Sequence, residues 1–153
     1  MEKIDLSTIT FVKLRYQNKA RPSDRPTVNG SQDAYNIFIE NWDWETITHI
    51  ETMKLMLQNR ANKVLGLADL STGDTNGCII DIKIVFQYAI LANASFIILA
   101  HNHPSGNLKP SEADIAITRK VLEAGKYLDI TLLDHLIISP DERYFSLADE
   151  DCI

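Results

Sequence analysis

From Ser31 onward the chain switches repeatedly between a helical and a strand-like hydrophobic period, and the switches mark its elements. Ser31, Gln32 and Asp33 have the character of a helix start, and Tyr35, Phe38 and Ile39 supply an apolar face at helical spacing. The segment ETMKLMLQNRANKVLGLADL (51–70) predicts a hairpin turning through Asn59 to Asn62. Period-two alternation puts Glu51, Met53, Leu55 and Leu57 on one face of its first strand. STGDTNG (71–77) is loop by composition. Ile84, Val85, Tyr88, Ala89 and Leu91 predict an amphipathic helix over 81–93. SFIILA (95–100) is a continuous apolar run, as expected of a strand buried on both faces. After the Pro- and Gly-containing stretch HNHPSGNLKP, Ile117, Val121, Ala124 and Leu128 fall in helical phase from Ser111 to about Leu128. TLLDHLIIS (131–139) and RYFSL (143–147) predict two further strands. Helices and strands interleave, so the expected fold class is α/β in a single domain.

Ahead of that body, ITFVKLRY (9–16) predicts a short strand, and QNKARPSDRPTVNG (17–30) a loop. Charge separates the two parts. Residues 1–30 carry six Lys/Arg against three Asp/Glu, and residues 31–153 carry nine against eighteen. The organisation expected is thus a basic N-terminal arm over 1–30 and an acidic domain over 31–153. An acidic body counts against a broad phosphate-binding surface. With 45% hydrophobic and 24% charged residues, the 153-residue chain has a soluble globular composition. No apolar stretch approaches the roughly 20 residues of a membrane span, and MEKIDLSTIT lacks the features of a secretory signal. A cytoplasmic location without membrane partners is expected. Cys78 and Cys152 belong to no metal-type cluster and are expected as reduced thiols.

The chemistry concentrates in His101-Asn102-His103-Pro-Ser-Gly-Asn-Leu-Lys-Pro-Ser111-Glu-Ala-Asp114. Two histidines at i and i+2 at a strand exit point to the same side of the backbone. Asp114, in the first turn of the next helix, can turn a carboxylate back toward them. Two imidazoles and one carboxylate are zinc ligands that leave a fourth position open, as a catalytic site requires. Each part also has a plainer explanation. HxH occurs by chance in surface loops, and Ser111 with Asp114 is a plausible capping box.

The arrangement HxH-(7)-SxxD, here His101, His103, Ser111 and Asp114, resembles the JAMM signature of the JAB/MPN metalloprotease fold. The longer string HNHPSGNLKPSEADIAIT, followed by LLDHLII and YFSL, is similar to the RadC branch of that fold. The resemblance implies a cytidine-deaminase-like domain with a central mixed sheet flanked by helices. It also implies a Zn2+-dependent hydrolase of amide or isopeptide bonds, acting on a protein or peptide that the sequence does not name. The family pattern calls for a glutamate on an earlier strand, which points to Glu51 as the proton carrier, with Glu40 and Glu45 as rivals. Ser111 is then either an oxyanion-stabilising hydroxyl or only a helix cap. Typical RadC proteins carry a helix-hairpin-helix region before this domain, so the chain resembles a short form with the JAB part alone.

His135, flanked by Leu132, Leu133, Ile137 and Ile138, is expected as a hydrogen-bonded core residue; a supporting role at the metal, with Asp134 as its partner, is the alternative. His49 is expected to be exposed. The RadC name is associated with DNA repair, so a nucleic-acid-binding protein is the rival function, and a non-catalytic interaction scaffold is a third. The letters His101-Asn102-His103 do not make an HNH nuclease, whose residues are spread over a ββα unit. The HxE…PCxxC pattern of zinc deaminases is absent. Oligomeric state is left open.

Overall fold

The computed structural model describes residues 10, 13, 15–72 and 80–153. At its centre is β3 (Phe96–Asn102), buried at every position after Phe96. Its neighbours are β1 (Thr52–Gln58), antiparallel on one side, and β4 (Thr131–Ser139), parallel on the other. β2 (Val64–Thr72) and β5 (Arg143–Ser146) complete a mixed five-stranded sheet in the order β2-β1-β3-β4-β5. The β1–β2 turn is held by Asn59, whose Oδ1 accepts from Ala61 N and Lys63 N at 2.9 and 3.0 Å. Asn62 takes a left-handed φ of 56° there, which asparagine tolerates.

Period two sends alternate residues to opposite layers. Met53, Leu55, Leu57, Ile97 and Leu99 pack in one core with α2 (Ile82–Leu91) and α3 (Glu112–Leu128). Met56, Ile98, Ala100, Leu136 and Ile138 pack in another with Tyr35 and Phe38 of α1 (Ser31–Glu40). Helices thus cover both faces of the sheet, giving the expected α/β domain with its mixed sheet between helices.

The structure corrects several details. β3 runs on through His101 and Asn102, because both are buried and still paired, His101 with Met53 of β1 and Ile137 of β4 and Asn102 with Ile138 of β4. On α2 the buried stripe is Val85, Phe86 and Ala89, whereas Ile84 and Tyr88 are each 39% exposed. The spacing of three from Val85's neighbour Phe86 to Ala89 sets the inward stripe, and Ile84 and Tyr88 are rotated off it. On α3, Val121 is buried as expected, but the rest of the stripe is Asp114, Thr118 and Gly125, and Leu128 is 44% exposed. A Cβ on Gly125 would lie 2.2 Å from the Ile130 carbonyl, so glycine lets the helix end close against the start of β4. β2 continues through Thr72, two residues into the expected loop; the remainder of that loop and Cys78 lie outside the described residues. So do residues 9, 11, 12 and 14 of the strand expected over 9–16. Cys152 is a free, half-buried thiol. No helix among the described residues is long and apolar enough to cross a membrane.

Candidate metal centre

The register of the sheet assembles the site. Met53 pairs with His101 across β1 and β3, so Glu51, just ahead of β1, lies beside the end of β3. His101 belongs to the alternation Ile97, Leu99, His101 and faces α3, where Asp114 sits in the first turn. His103 lies one residue beyond the strand, and its N–H donates to the Ile138 carbonyl of β4 at 3.0 Å. Gly106 then turns the chain with a φ of 78°, a conformation most side chains disfavour. The turn places the Asn107 carbonyl 2.6 Å from His103 Nδ1. Four residues converge as a result: one ligand-type atom each from Glu51, His101, His103 and Asp114 lie within 4.8 Å of one another.

The donor set suits a divalent cation. A carbonyl can only accept, so His103 Nδ1 carries the proton toward Asn107 and Nε2 carries a lone pair. That Nε2 lies 2.9 Å from His101 Nε2 and 3.5 Å from Asp114 Oδ2. Ser111 donates to Asp114 Oδ2 through its N–H and its hydroxyl, both at 2.7 Å. Oδ1 is thereby left facing His101 Nε2 at 3.2 Å. Imidazole nitrogens and carboxylate oxygens turned toward one point can hold a positive charge between them, and this mixture of nitrogen and oxygen is one zinc accepts. Electrostatics agree. With an imidazole proton as that charge, burial still works against the Asp114 carboxylate, but hydrogen bonds from His101, His103 and Ser111 prevail and hold its carboxyl well below the usual carboxylate range. The same Asp114 contact raises His103 above the ordinary histidine value, outweighing its burial.

Ser111 is the N-cap of α3. Its Oγ also accepts from Asp114 N at 3.1 Å, which closes a capping box. Glu51 is half-buried, whereas its rivals Glu40 and Glu45 are exposed and outside the group. His49 is exposed, and with Glu51, His103, Asn107, Lys109 and Ser111 it lines a groove of about 720 Å³ beside the four residues.

His135 is fully buried. Its Nε2 lies 2.8 Å from His101 Nδ1, and its Nδ1 lies 2.6 Å from Thr118 Oγ1. Burial first, then the neighbouring His101, press its pKa well below the ordinary histidine value. Asp134 is not the partner of its ring. The Asp134 carboxylate accepts instead from His135 N, Ser146 Oγ and Ala148 N, at 2.7, 2.6 and 3.1 Å. Two supporting residues escaped the sequence. Asn102 was hidden between two candidate ligands, although the strand alternation that aims the histidines one way aims it the other. Thr118 follows Asp114 by four, which puts it on the same helix face.

Residues 28–152 match the RadC-like JAB domain family. A UPF0758 protein from Flavobacterium johnsoniae is 46% identical over 104 residues, 68% of this chain and 44% of the relative. A UPF0758 protein from Desulfitobacterium hafniense is 38% identical over 128 residues, 84% of this chain and 55% of the relative. The chain therefore spans about half the length of the curated relatives it matches. With Glu51, His101, His103 and Asp114 gathered beside the groove and the match running through all of them, the chain belongs to the RadC-like JAB domain family.

Proposed function

We propose that the chain is a zinc-dependent hydrolase of the JAMM metallopeptidase type, cleaving an amide or isopeptide bond in a protein or peptide. The observation that carries this reading is the convergence of Glu51, His101, His103 and Asp114 within 4.8 Å beside an open groove. His101, His103 and Asp114 would hold the ion. Zinc bound in such a site acidifies water and polarises a carbonyl. Glu51, half-buried at the groove, is positioned to take a proton from a water there and to pass it to the leaving amine. Ser111 orients Asp114 through the capping box. By turning its hydroxyl proton into the groove, it would also stabilise the developing oxyanion.

Elemental analysis joined to a peptide and isopeptide library read by mass spectrometry tests the proposal. About one zinc per chain is expected, lost in His103→Ala. Glu51→Gln should retain the metal and lower hydrolysis about 100- to 10,000-fold. Protein that takes up no metal would refute the hydrolase reading, and full hydrolysis by Glu51→Gln would remove Glu51 from its role.

A further inference from the structure

We propose that His135 is a positioning residue which, together with Thr118, dictates the tautomer of His101 and so sets the affinity of the metal centre. The inference rests on the reading of the four-residue group as a metal site. It follows from the direction in which protons can run along three short contacts.

Thr118 Oγ1 lies 2.5 Å from the backbone carbonyl of Asp114. A carbonyl has no proton to give, and two oxygens that close require one, so the single hydroxyl proton of Thr118 is committed there. At His135 Nδ1, 2.6 Å away, Thr118 Oγ1 can therefore only accept. The His135 ring proton must sit on Nδ1, which leaves Nε2 as a lone pair. That lone pair faces His101 Nδ1 at 2.8 Å, so His101 donates from Nδ1 and presents a bare Nε2 toward His103 and Asp114.

The chain of protons starts on the main chain of Asp114, itself one of the proposed ligands, and ends on the ligand atom of His101. A tautomer flip at His101 would put a proton where the metal belongs and two N–H groups or two lone pairs elsewhere along the relay. Each such fault would fall among fully buried groups, since His101, Thr118 and His135 are all completely inaccessible to solvent. Water is therefore not at hand to repair it. His103 needs no such relay, because the Asn107 carbonyl fixes its tautomer directly at 2.6 Å. The two histidines reach the same ligand state by different means, one through a loop carbonyl and one through buried side chains.

Zinc affinity measured by competition with a chromogenic chelator separates the possibilities without any substrate. His135→Leu removes the acceptor for His101 Nδ1 and should weaken zinc binding about 10- to 100-fold. His135→Gln places an amide oxygen where His135 Nε2 was and should recover affinity to within about fivefold of wild type, from the shared acceptor chemistry. Long-range 15N correlation spectra of the wild-type imidazoles give a readout independent of any variant's folding. They should show both His101 and His135 protonated at Nδ1. Unchanged affinity in His135→Leu, or a His135 protonated at Nε2, would overturn the relay while leaving the metal site standing. Wild-type protein that binds no zinc would instead overturn the metal reading and the relay with it.

Discussion

Asn102 Oδ1 accepts from both the main-chain N–H and the hydroxyl of Thr52, at 2.8 and 3.0 Å. Its Nδ2 donates to the carbonyls of Ile47 and Ile50, at 2.8 and 2.9 Å. One fully buried amide thus spends its donors on the turn before β1 and its acceptor on the first residue of β1. Glu51 lies between the two anchor points. The residue between two proposed ligands therefore fixes the segment that carries the proposed proton carrier.

Asn102→Asp should consequently be destabilising in spite of its near-identical shape. The acceptor for Thr52 survives, but both donors vanish, and the Ile47 and Ile50 carbonyls face a buried negative charge. A loss of about 2–4 kcal/mol is expected for two unmet carbonyls and an unpaired charge. Urea denaturation of the zinc-free protein measures it. A change under about 0.5 kcal/mol, the range of ordinary surface substitutions, would show that the amide is not needed to hold this turn.

Metal removal offers a second check that needs no substrate. A ligand that binds only the folded state stabilises it by about 2.7 kcal/mol at a hundredfold excess over Kd. For a domain of this length that is a rise in Tm of about 5–10 °C. Zinc should produce this shift in wild type, chelator should reverse it, and His103→Ala should show none. A wild-type Tm indifferent to zinc and chelator would contradict a metal centre built on His101, His103 and Asp114.

The parts of this picture that could be read from the sequence are those governed by a local period or a local motif. The β4 limits follow from the apolar run at 131–139, and α3 starts where Ser111 and Asp114 announce a capping box. Glu51, His101, His103 and Asp114 meet as the spacing and family resemblance imply. Relationships made by tertiary register stayed hidden. Nothing local to His135 says that its ring nitrogen will meet His101, thirty-four residues earlier, because that contact depends on parallel pairing of β3 and β4. The adjacent Asp134 looked like its partner, yet consecutive strand residues point to opposite faces. The exposure of Ile84 and Tyr88 is of the same kind: both are apolar and near the right phase, and only the packed sheet decides which stripe turns inward.

Asp134 itself carries a pH prediction. Burial raises its pKa above the usual carboxylate value, against the lowering effect of its Ser146, Ala148 and His135 contacts. A carboxyl whose pKa is raised on folding binds its proton more tightly in the folded state, so its charged form costs stability above the folded pKa. That cost shrinks as pH falls through the folded pKa toward the unfolded value. Asn at this position can still accept from His135 N and Ala148 N and can donate to Ser146 Oγ, without the charge. Asp134→Asn should therefore be at least as stable as wild type at pH 7, with its advantage declining toward pH 4. Thermal melts across that range test the sign. A variant that loses stability at pH 7 and regains it on acidification would mean that the charged carboxylate is favourable here.

The two roles open to Ser111 can be separated because a cap and an oxyanion donor fail differently. As a cap, Ser111 satisfies Asp114 N, and replacing a capping serine by alanine costs about 0.5–2 kcal/mol, whereas glycine costs only a few tenths. As an oxyanion donor it contributes a hydroxyl that alanine and glycine lack equally. Ser111→Ala and Ser111→Gly should thus differ in stability by about 1 kcal/mol. If the hydroxyl acts only through the helix, hydrolysis of a substrate drawn from the peptide library should track that difference and be largely kept in Ser111→Gly. If it also meets the oxyanion, both variants should lose activity by the same factor of about 100–1,000 while binding zinc. The hydroxyl's donation to Asp114 Oδ2 adds one constraint: either variant removes one of that oxygen's two donors from Ser111, so zinc affinity must be measured alongside the rate. Equal loss of rate at unchanged zinc affinity is the result expected, because the Ser111 N–H still holds Oδ2 in both variants.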